Sequence, residues 1–300
     1  MMSDEEALSK KQGKPVWLIY ANCQAAAIAA LLPRIGRLSD SVDIKYVFIH
    51  SLEERGKGWD TYPASYMDGV TVVWEQVSEA FPAVRAEFHR RLPETARRIR
   101  FPAFTAGMIW PFAAPDPRPS KHRPYLYGDS VAARLGLSLA GRRLTDDQIF
   151  SEYMALSYKR MPDLDRSLEL ELAAWQRRDL DSDISVSAYL IENYRKTQLF
   201  YERGRITQYP VRYLIDRLLQ ESLDANAVNV TSVLEDAARL LKYHQGSDNI
   251  SQPIHPFVAD KLKLEWFDPE AVYRWFMHDW TFRDWIVRCV RLAPYVGGNF

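Results

Sequence analysis

The chain has 300 residues, of which 47% are hydrophobic and 26% charged, a composition typical of a globular protein with a large core. Its 39 basic side chains balance 39 acidic ones, so the net charge does not favour nucleic acid or an anionic membrane as a partner. The two cysteines, Cys23 and Cys289, match no disulfide framework and no zinc-ligand spacing, so the sequence predicts no metal site.

The N-terminal residues 1–14 are polar and lack the apolar run of a secretory signal, so we expect a flexible tail. No segment approaches the roughly 18 apolar residues that a membrane span requires. These features predict a cytoplasmic protein without a membrane span, and they are compatible with a homo-oligomer. Residues 15–300 are expected to form a single α/β domain, sheet-rich over 15–130 and with a helical layer over 131–300.

Residues 15–20 form a short, continuous apolar run, which is typical of a strand buried on both faces. The turn 21–24 follows, and an alanine-rich helix is predicted over 25–32. Further strands are predicted at 42–50, 69–74 and 98–104, and a basic helix at 82–92. Because strands and helices alternate, we predict an α/β fold with a mostly parallel sheet and flanking helices.

Residues 105–130 form a long, proline-rich connection, after which the pattern becomes helical. Thr145 and Thr281 are each predicted to cap a helix, and Asp268-Pro269 is predicted to begin another. The remaining predicted helices lie near 167–178, 185–196, 209–222, 231–243 and 257–263.

The turn between the first strand and the first helix contains Cys23. A residue there faces unpaired backbone N–H groups and the positive end of a helix dipole, which lower a thiol's pKa and favour the nucleophilic thiolate. The Gln24 N–H could hold an oxyanion, and the side-chain amides of Asn22 and Gln24 could hold a ligand. In the alternative interpretation Cys23 is a small buried thiol that packs the turn, and its position alone does not decide between the two.

A nucleophilic thiol requires a base, and two histidines are candidates. His50 ends the second predicted strand, and the carboxyl ends of parallel strands line the binding crevice of open α/β sheets. His255 lies between prolines that would orient its ring, although it could also be a capping or loop histidine. Asp129 could orient a histidine, or it could simply cap the helix that follows it.

The segment from Val16 to Leu32, with Asn22-Cys23-Gln24 between a strand and an Ala/Leu-rich helix, resembles the opening of the WcbI family of capsular polysaccharide-biosynthesis proteins. Members of that family typically carry Gly-Asn-Cys-Gln at this position. Further similarities follow in the same order along most of the chain, at Tyr127-Gly128-Asp129, Asn193-Tyr194-Arg195, Pro253-Ile254-His255-Pro256 and Thr281-Phe282.

The resemblance implies an α/β protein that uses coenzyme A or acetyl-CoA as co-substrate and transfers an acetyl group to a sugar hydroxyl of a polysaccharide. It implies a catalytic Cys23 in a turn similar to that of SGNH-type hydrolases. For this activity we assign His255, or alternatively His50, as the general base, with Asp129 to orient it, and Asn22, Gln24, Tyr127, Gly128 and Arg195 as the cofactor-binding residues. Two alternatives stay open: a cysteine-dependent esterase or thioesterase, and a non-catalytic protein that binds coenzyme A or a nucleotide.

This sequence departs from the family pattern at two places. Ala21 replaces the usual glycine, which restricts the backbone of the turn. A histidine that relatives carry before a proline is missing, because Arg205-Ile206-Thr207 precede Pro210 here. If relatives need that histidine, this chain either uses His255 instead or has lost the activity.

Overall fold

The computed structural model describes residues 13–54, 58–77, 82–114, 128–223, 230–242, 251–275 and 278–295. Tyr127, an implied cofactor-binding residue, and most of the predicted tail lie outside these residues. The described chain forms two compact units, each built from separate stretches of sequence. Unit 1 comprises Met1–Phe104, Trp175–Ala188 and Ile206–Ser247, and unit 2 comprises Thr105–Ala174, Tyr189–Arg205 and Asp248–Phe300. The predicted internal division at residue 130 does not coincide with these units, and the single domain stays a prediction.

Unit 1 contains a four-stranded sheet in which all neighbouring strands are parallel. Its strands are β1 (Val16–Ala21), β2 (Asp43–Phe48), β3 (Val70–Val77) and β4 (Arg97–Pro102), in the order β2-β1-β3-β4. All six residues of β1 are buried, as expected for a central strand covered on both faces. The predicted α/β fold with a parallel sheet is confirmed.

Helices account for most of the remaining regular structure of the described residues. They are α1 (Ala26–Leu31), α2 (Gly36–Ser39), α3 (Ile49–Glu54), α4 (Pro82–Arg91), α5 (Ser130–Ser138), α6 (Asp146–Arg160), α7 (Leu164–Leu180), α8 (Ser187–Asn193), α9 (Gln208–Ser222), α10 (Val230–Leu241), α11 (Pro256–Leu262) and α12 (Phe282–Leu292). In the part of the chain that is described, no helix combines the length and the apolar character needed to cross a bilayer.

One predicted boundary and one predicted helix are wrong. The second strand is present but ends at Phe48 rather than at residue 50, so His50 lies in α3. No helix begins at Asp268-Pro269, because Asp268 forms a local turn in which its carboxylate accepts the Glu270 N–H. The chain then enters an antiparallel pair, β7 (Tyr273–Trp275) and β8 (His278–Trp280), which follows the short strands β5 (Phe200–Glu202) and β6 (Arg205–Ile206).

Aromatic side chains fill the face of the unit 1 sheet that α4 covers. The Tyr20 ring of β1 stacks on Phe88 of α4 at 3.9 Å between ring centroids, and Trp59 stacks on the same Phe88 at 5.8 Å. Such large buried rings contribute strongly to stability and fix the helix against the strand. The core therefore holds β1 in place up to its last residue, where the candidate site begins.

The core of unit 2 lies among α5, α6 and α12. Thr145 and Thr281 each form a capping box at the start of α6 and α12, so both predicted caps are confirmed. Gly136 of α5 lies so close to α12 that a Cβ atom built on it would be 2.2 Å from the Val290 carbonyl oxygen. Glycine is therefore required where these helices meet.

Candidate functional site

The turn after β1 lies where the strand order of the sheet reverses. From β1 the chain proceeds to β2 on one side and then returns to β3 on the other side of β1. In open parallel sheets, ligands bind in the crevice outside the carboxyl ends of the strands at such a reversal. Asn22, Cys23 and Gln24 occupy this position, which is the position predicted for the reactive turn.

Asn22 caps the first turn of helix, which has 3-10 geometry over Cys23–Ala25 and leads directly into α1. The Asn22 Oδ1 atom accepts the Gln24 N–H at 2.9 Å. The predicted role of the Gln24 N–H as oxyanion donor is therefore wrong, because the cap already occupies that donor.

The Gln24 side chain points into the protein and is 5% exposed. Its Nε2 donates to the Phe104 carbonyl oxygen at 2.6 Å, and its Oε1 accepts the Phe104 N–H at 3.0 Å. The predicted role of this amide in holding a cofactor does not fit that geometry, because both ends of the amide bind the backbone after β4. Gln24 instead ties the cysteine turn to the segment that follows β4.

Gln76, in the penultimate position of β3, completes this network, and the sequence interpretation missed it. Its Oε1 accepts the Asn22 N–H at 2.9 Å and its Nε2 donates to Gln24 Oε1 at 3.1 Å. Phe104 supplies one N–H and one C=O, which fixes the orientation of the Gln24 amide. Gln24 Oε1 can only accept, so it fixes the orientation of the Gln76 amide in turn. The only signal in the sequence is a pair of polar residues, Glu75-Gln76, at the end of an apolar strand.

Tyr46 of β2 holds the other side of the turn. Its hydroxyl donates to the Asn22 carbonyl oxygen at 2.8 Å. Burial raises the pKa of Tyr46 far above its usual value, and the nearby Cys23 raises it further. Tyr46 is therefore a neutral donor next to Cys23. Together, β2 through Tyr46, β3 through Gln76 and the segment after β4 through Phe104 all form hydrogen bonds to the turn that follows β1.

Two further groups belong to this turn. Cys23 is exposed, whereas Cys289 is buried in α12. Within the described residues, Asn22 has no hydrogen-bond partner at its Nδ2, while its N–H, its C=O and its Oδ1 are all engaged. Because Oδ1 must accept the Gln24 N–H, the orientation of the Asn22 amide is fixed.

Ala21, which replaces the family's glycine, is the last residue of β1 and is fully buried. It pairs with Phe48 in the parallel register and therefore has ordinary strand geometry. The backbone here does not require a glycine, so this departure from the family pattern leaves the turn intact.

His50 lies in unit 1, as the cysteine turn does. It follows the last residue of β2 by two positions, as Cys23 follows the last residue of β1. Its half-buried ring contacts the Phe48 ring edge-on at 5.5 Å. The predicted position next to the carboxyl end of β2 is retained, although His50 belongs to α3.

His255 and Asp129 both lie in unit 2 and have structural partners there. His255 Nδ1 accepts the Phe257 N–H at 3.2 Å and caps α11, so Nε2 carries the proton and contacts Ser157 Oγ at 3.0 Å. Burial lowers the pKa of His255 to about 4, so the ring is neutral at pH 7. These contacts match the capping alternative of the sequence analysis, and a catalytic role stays untested.

Asp129 caps α5, and its Oδ1 accepts the N–H groups of Val131 and Ala132. Its Oδ2 accepts the Tyr153 hydroxyl at 2.7 Å, a bond that takes the place of the predicted bond to a histidine. Burial raises the pKa of Asp129 to about 6, against the lowering effect of these three hydrogen bonds. The carboxyl group therefore orders a helix end and a buried phenol.

The other two described residues of the predicted cofactor set also lie in unit 2. The Gly128 carbonyl oxygen accepts from Gln252 Nε2 at 3.1 Å. Arg195 donates from Nε to the Leu262 carbonyl oxygen at 3.2 Å, and its guanidinium lies over the Tyr194 ring. Both residues hold neighbouring segments of their own unit, and their predicted binding roles stay untested.

The parallel sheet with its strand-order reversal, followed there by the exposed Cys23, defines an α/β protein of the open-sheet class. A family model described as polysaccharide biosynthesis enzyme WcbI matches residues 16–227. The chain belongs to the WcbI family of polysaccharide biosynthesis enzymes, and the resemblance noted in the sequence is confirmed.

A solved structure of WcbI, described as a novel polysaccharide biosynthesis enzyme, has the same fold with a TM-score of 0.66. The two chains are 14% identical, and the match covers 94% of this chain and 91% of that chain. The solved protein is described as native and without the disulfide bond between CoA and one of its cysteines. A comparison with curated proteins finds no match.

Proposed function

We propose that this chain is a coenzyme-A-dependent acyltransferase that acylates a sugar hydroxyl in polysaccharide biosynthesis, with Cys23 as its nucleophile. The carrying observation is the exposed Cys23 at the strand-order reversal, in a turn whose surrounding polar groups are held by the ends of four strands. A rigid turn presents the thiol to a bound thioester without further reorganisation. We place the reaction in the cytoplasm, where the proposed acyl-CoA donor is available.

The proposed cofactor is supported by the solved WcbI structure, whose description mentions CoA and a disulfide with a cysteine of that protein. A disulfide requires the two sulfur atoms to come within about 2.05 Å. In this chain Cys23 is exposed and Cys289 is buried, so Cys23 is the cysteine that a CoA sulfur can approach.

The first step transfers the acyl group to the protein. Cys23 gives its proton to a base, its Sγ bonds to the acyl carbon, and the bond from that carbon to the CoA sulfur breaks. CoA leaves as a thiolate and takes the proton from the base. In the second step a sugar hydroxyl gives its proton to the base and attacks the acyl carbon. The bond to Sγ then breaks, and Cys23 regains a proton.

We assign the stabilisation of the tetrahedral intermediate to Asn22. Its Nδ2 is a preorganised donor on the residue that precedes Cys23, since the cap fixes the orientation of the amide. A donor of this kind stabilises the negative charge that develops on the carbonyl oxygen as the thiolate attacks. This assignment replaces the Gln24 N–H, which the cap already uses.

We assign the base to His50 in preference to His255. His50 is in the same unit as Cys23 and follows the end of β2, the strand that pairs with β1. His255 carries its proton on Nε2 and accepts a backbone N–H at Nδ1, so neither nitrogen offers a lone pair to a substrate.

The covalent step is tested by incubating the protein with acetyl-CoA and locating the acetyl group by mass spectrometry of peptides. We expect one acetyl group on Cys23, none in Cys23→Ser, and normal labelling in the control Cys289→Ala. Acetylation of the sugar without an acetyl-Cys23 intermediate would replace the covalent mechanism by direct attack on the thioester.

Thermal melting with coenzyme A tests the cofactor itself. A ligand at 100 times its Kd stabilises a protein by about 2.7 kcal/mol, which gives a measurable shift. The absence of any shift with coenzyme A or acetyl-CoA would remove the proposed function. Release of free thiol from acetyl-CoA without a sugar would instead identify a thioesterase, and binding without turnover would identify a binding protein.

A further inference from the structure

Three aromatic side chains form a row at the edge of the unit 1 sheet. Tyr46 and Phe48 are two positions apart on the edge strand β2, so they lie on the same face, and their rings stack at 6.2 Å between centroids. The His50 ring then contacts the Phe48 ring edge-on at 5.5 Å. All three residues of this aromatic row are half-buried, so parts of the rings are open to solvent.

One end of the aromatic row is tied to the cysteine turn. Tyr46 donates its hydroxyl to the Asn22 carbonyl oxygen at 2.8 Å, and Cys23 acts electrostatically on its ionisation. From Tyr46 the row continues to Phe48, which pairs with Ala21 at the end of β1, and then to His50. The row therefore begins at the cysteine turn.

Partly exposed aromatic rings bind flat or apolar ligand faces, such as a nucleobase or the C–H face of a sugar ring. Coenzyme A has its thiol at one end of the long pantetheine arm and its adenine at the other, so its base lies far from a thioester held at Cys23. An acceptor hydroxyl must instead come within about 3.5 Å of the acyl carbon. The aromatic row, which contacts the turn through Tyr46, therefore suits the acceptor rather than the adenine.

We infer that the aromatic row of Tyr46, Phe48 and His50 is the acceptor subsite, where a sugar ring stacks on Phe48 with one hydroxyl between Cys23 and His50. This inference rests on the proposed function, because it is the acyl transfer that requires an acceptor next to the turn. It gives Phe48 a role in sugar recognition that does not depend on coenzyme A.

Saturation-transfer NMR tests the subsite on the full chain, with the methyl glycosides of glucose, galactose and mannose as sugar probes and adenosine 3′,5′-bisphosphate as nucleotide probe. We expect at least one glycoside to bind through its ring C–H protons. Phe48→Leu keeps an apolar side chain of similar size for packing but removes the flat ring, and should weaken that glycoside roughly tenfold. Phe48→Tyr should retain it, and so should Tyr209→Ala, which removes a 47% exposed aromatic elsewhere in unit 1.

Three results would overturn the subsite. The first is no glycoside binding, and the second is equal glycoside binding in Phe48→Leu and in the parent protein. The third is loss of nucleotide affinity in Phe48→Leu, which would assign the row to the cofactor's base.

Acetylation of Cys23 by acetyl-CoA is measured on the same variants. If Phe48→Leu is acetylated normally but binds glycosides like the parent, the acceptor subsite fails and the proposed function stands. If the parent protein binds glycosides through Phe48 but Cys23 is never acetylated, the covalent function fails and the sugar site stands.

Discussion

At the scale of single residues, Asn22 shows how a short turn divides its polar groups between structure and chemistry. Its N–H, C=O and Oδ1 hold the turn in place, and we assign its Nδ2 to the reaction. The sequence predicted the location of the reactive turn from the apolar strand before it. It could not assign the individual donors, because Gln76, which binds the Asn22 N–H, is 54 positions away along the chain.

Asn22→Asp separates the two roles of this side chain. Aspartate caps a helix as well as asparagine does, so we expect the melting temperature to change little. The replacement loses the Nδ2 donor and places a negative charge where the oxyanion forms, so kcat for acetyl transfer should fall by about 100-fold or more.

A second variant removes the contribution of the added charge. Asn22→Ser keeps a neutral capping oxygen, but its short hydroxyl is used in the cap, so its kcat should fall as well. Wild-type kcat in Asn22→Ser would refute the assignment of Nδ2 as the oxyanion donor.

At the scale of secondary structure elements, one chain of amides joins the ends of β1, β3 and β4. It runs from Phe104 through Gln24 and Gln76 to Asn22, and each amide has one permitted orientation. The strands themselves were predictable, because continuous apolar runs mark buried parallel strands. The hydrogen bonds between strand ends could not be predicted, because they depend on which strands become neighbours in the folded sheet.

Gln76→Glu tests this chain of amides. The new carboxylate can still accept the Asn22 N–H, but its second oxygen faces Gln24 Oε1 and no longer donates to it. A buried acceptor without a donor costs about 1–3 kcal/mol, and a buried charge costs more. We expect a lower free energy of unfolding in urea and slower acetylation of Cys23.

The matched control is Gln220→Glu, which makes the same change at an exposed position of α9 in the same unit. It should change neither stability nor Cys23 acetylation measurably. If Gln76→Glu behaves like this control, the amide chain does not hold the turn.

The hairpin of β7 and β8 shows where local patterns mislead. Asp268-Pro269 is a typical helix start, yet the Asp268 carboxylate binds the Glu270 N–H and closes a turn instead. Val272 and Tyr273, which favour strands, then begin the extended segment. Helix-start signals are ambiguous because the same aspartate can cap a helix or close a turn.

Gly136→Ala tests the close approach of α5 and α12 in unit 2. The added Cβ would lie 2.2 Å from the Val290 carbonyl oxygen and 2.6 Å from Ala293 Cβ, so the helices must separate. Overpacking of this kind costs about 1–3 kcal/mol or more, which should appear as a lower midpoint in urea.

Gly36→Ala is the control for this glycine, because a Cβ there meets nothing within 4 Å. We expect no loss of stability at this position. Equal stability of the Gly136 and Gly36 variants would mean that the two helices do not meet as described.

At the scale of the whole molecule, two buried groups of unit 2 make opposite contributions to the pH dependence of stability. The pKa of Asp129 is raised from 3.8 to about 6, so its contribution is present below pH 3.8 and lost as the pH rises through about 6. The pKa of His255 is lowered from 6.5 to about 4, so its contribution is present above pH 6.5 and lost as the pH falls. Between these limits the two effects oppose each other.

Single substitutions should reveal each effect. In Asp129→Asn, which keeps the helix cap, the free energy of unfolding should rise more steeply with pH between about 4 and 6.5 than in the parent protein, because the opposing contribution of Asp129 is gone. In His255→Gln the Asp129 contribution is no longer opposed by His255, and over the same range it lowers the free energy of unfolding by at most about 3 kcal/mol. Urea unfolding at several pH values measures both slopes, and slopes that differ from the parent's in the same direction in both variants would contradict this account.

The fold class was predictable from the alternation of strands and helices, but the grouping of segments was not. Unit 1 takes Trp175–Ala188 and Ile206–Ser247 from the half of the chain that the sequence assigned to a separate helical layer. Particular contacts explain this grouping: Arg100 of β4 pairs with Asp183, and the Trp74 ring N–H of β3 donates to Ser222 at the end of α9. Sequence patterns describe each segment alone, whereas such contacts depend on its distant neighbours.

The separated segments of unit 1 have a consequence for how the protein is made. A ribosome completes the four strands by residue 102, but α9, which contacts α1 and β4, is not synthesised until residues 208–222. The Trp74 indole, fully buried in the finished protein, lacks its Ser222 partner throughout that interval. The nascent sheet therefore emerges with an uncovered apolar face, where a chaperone can bind during translation.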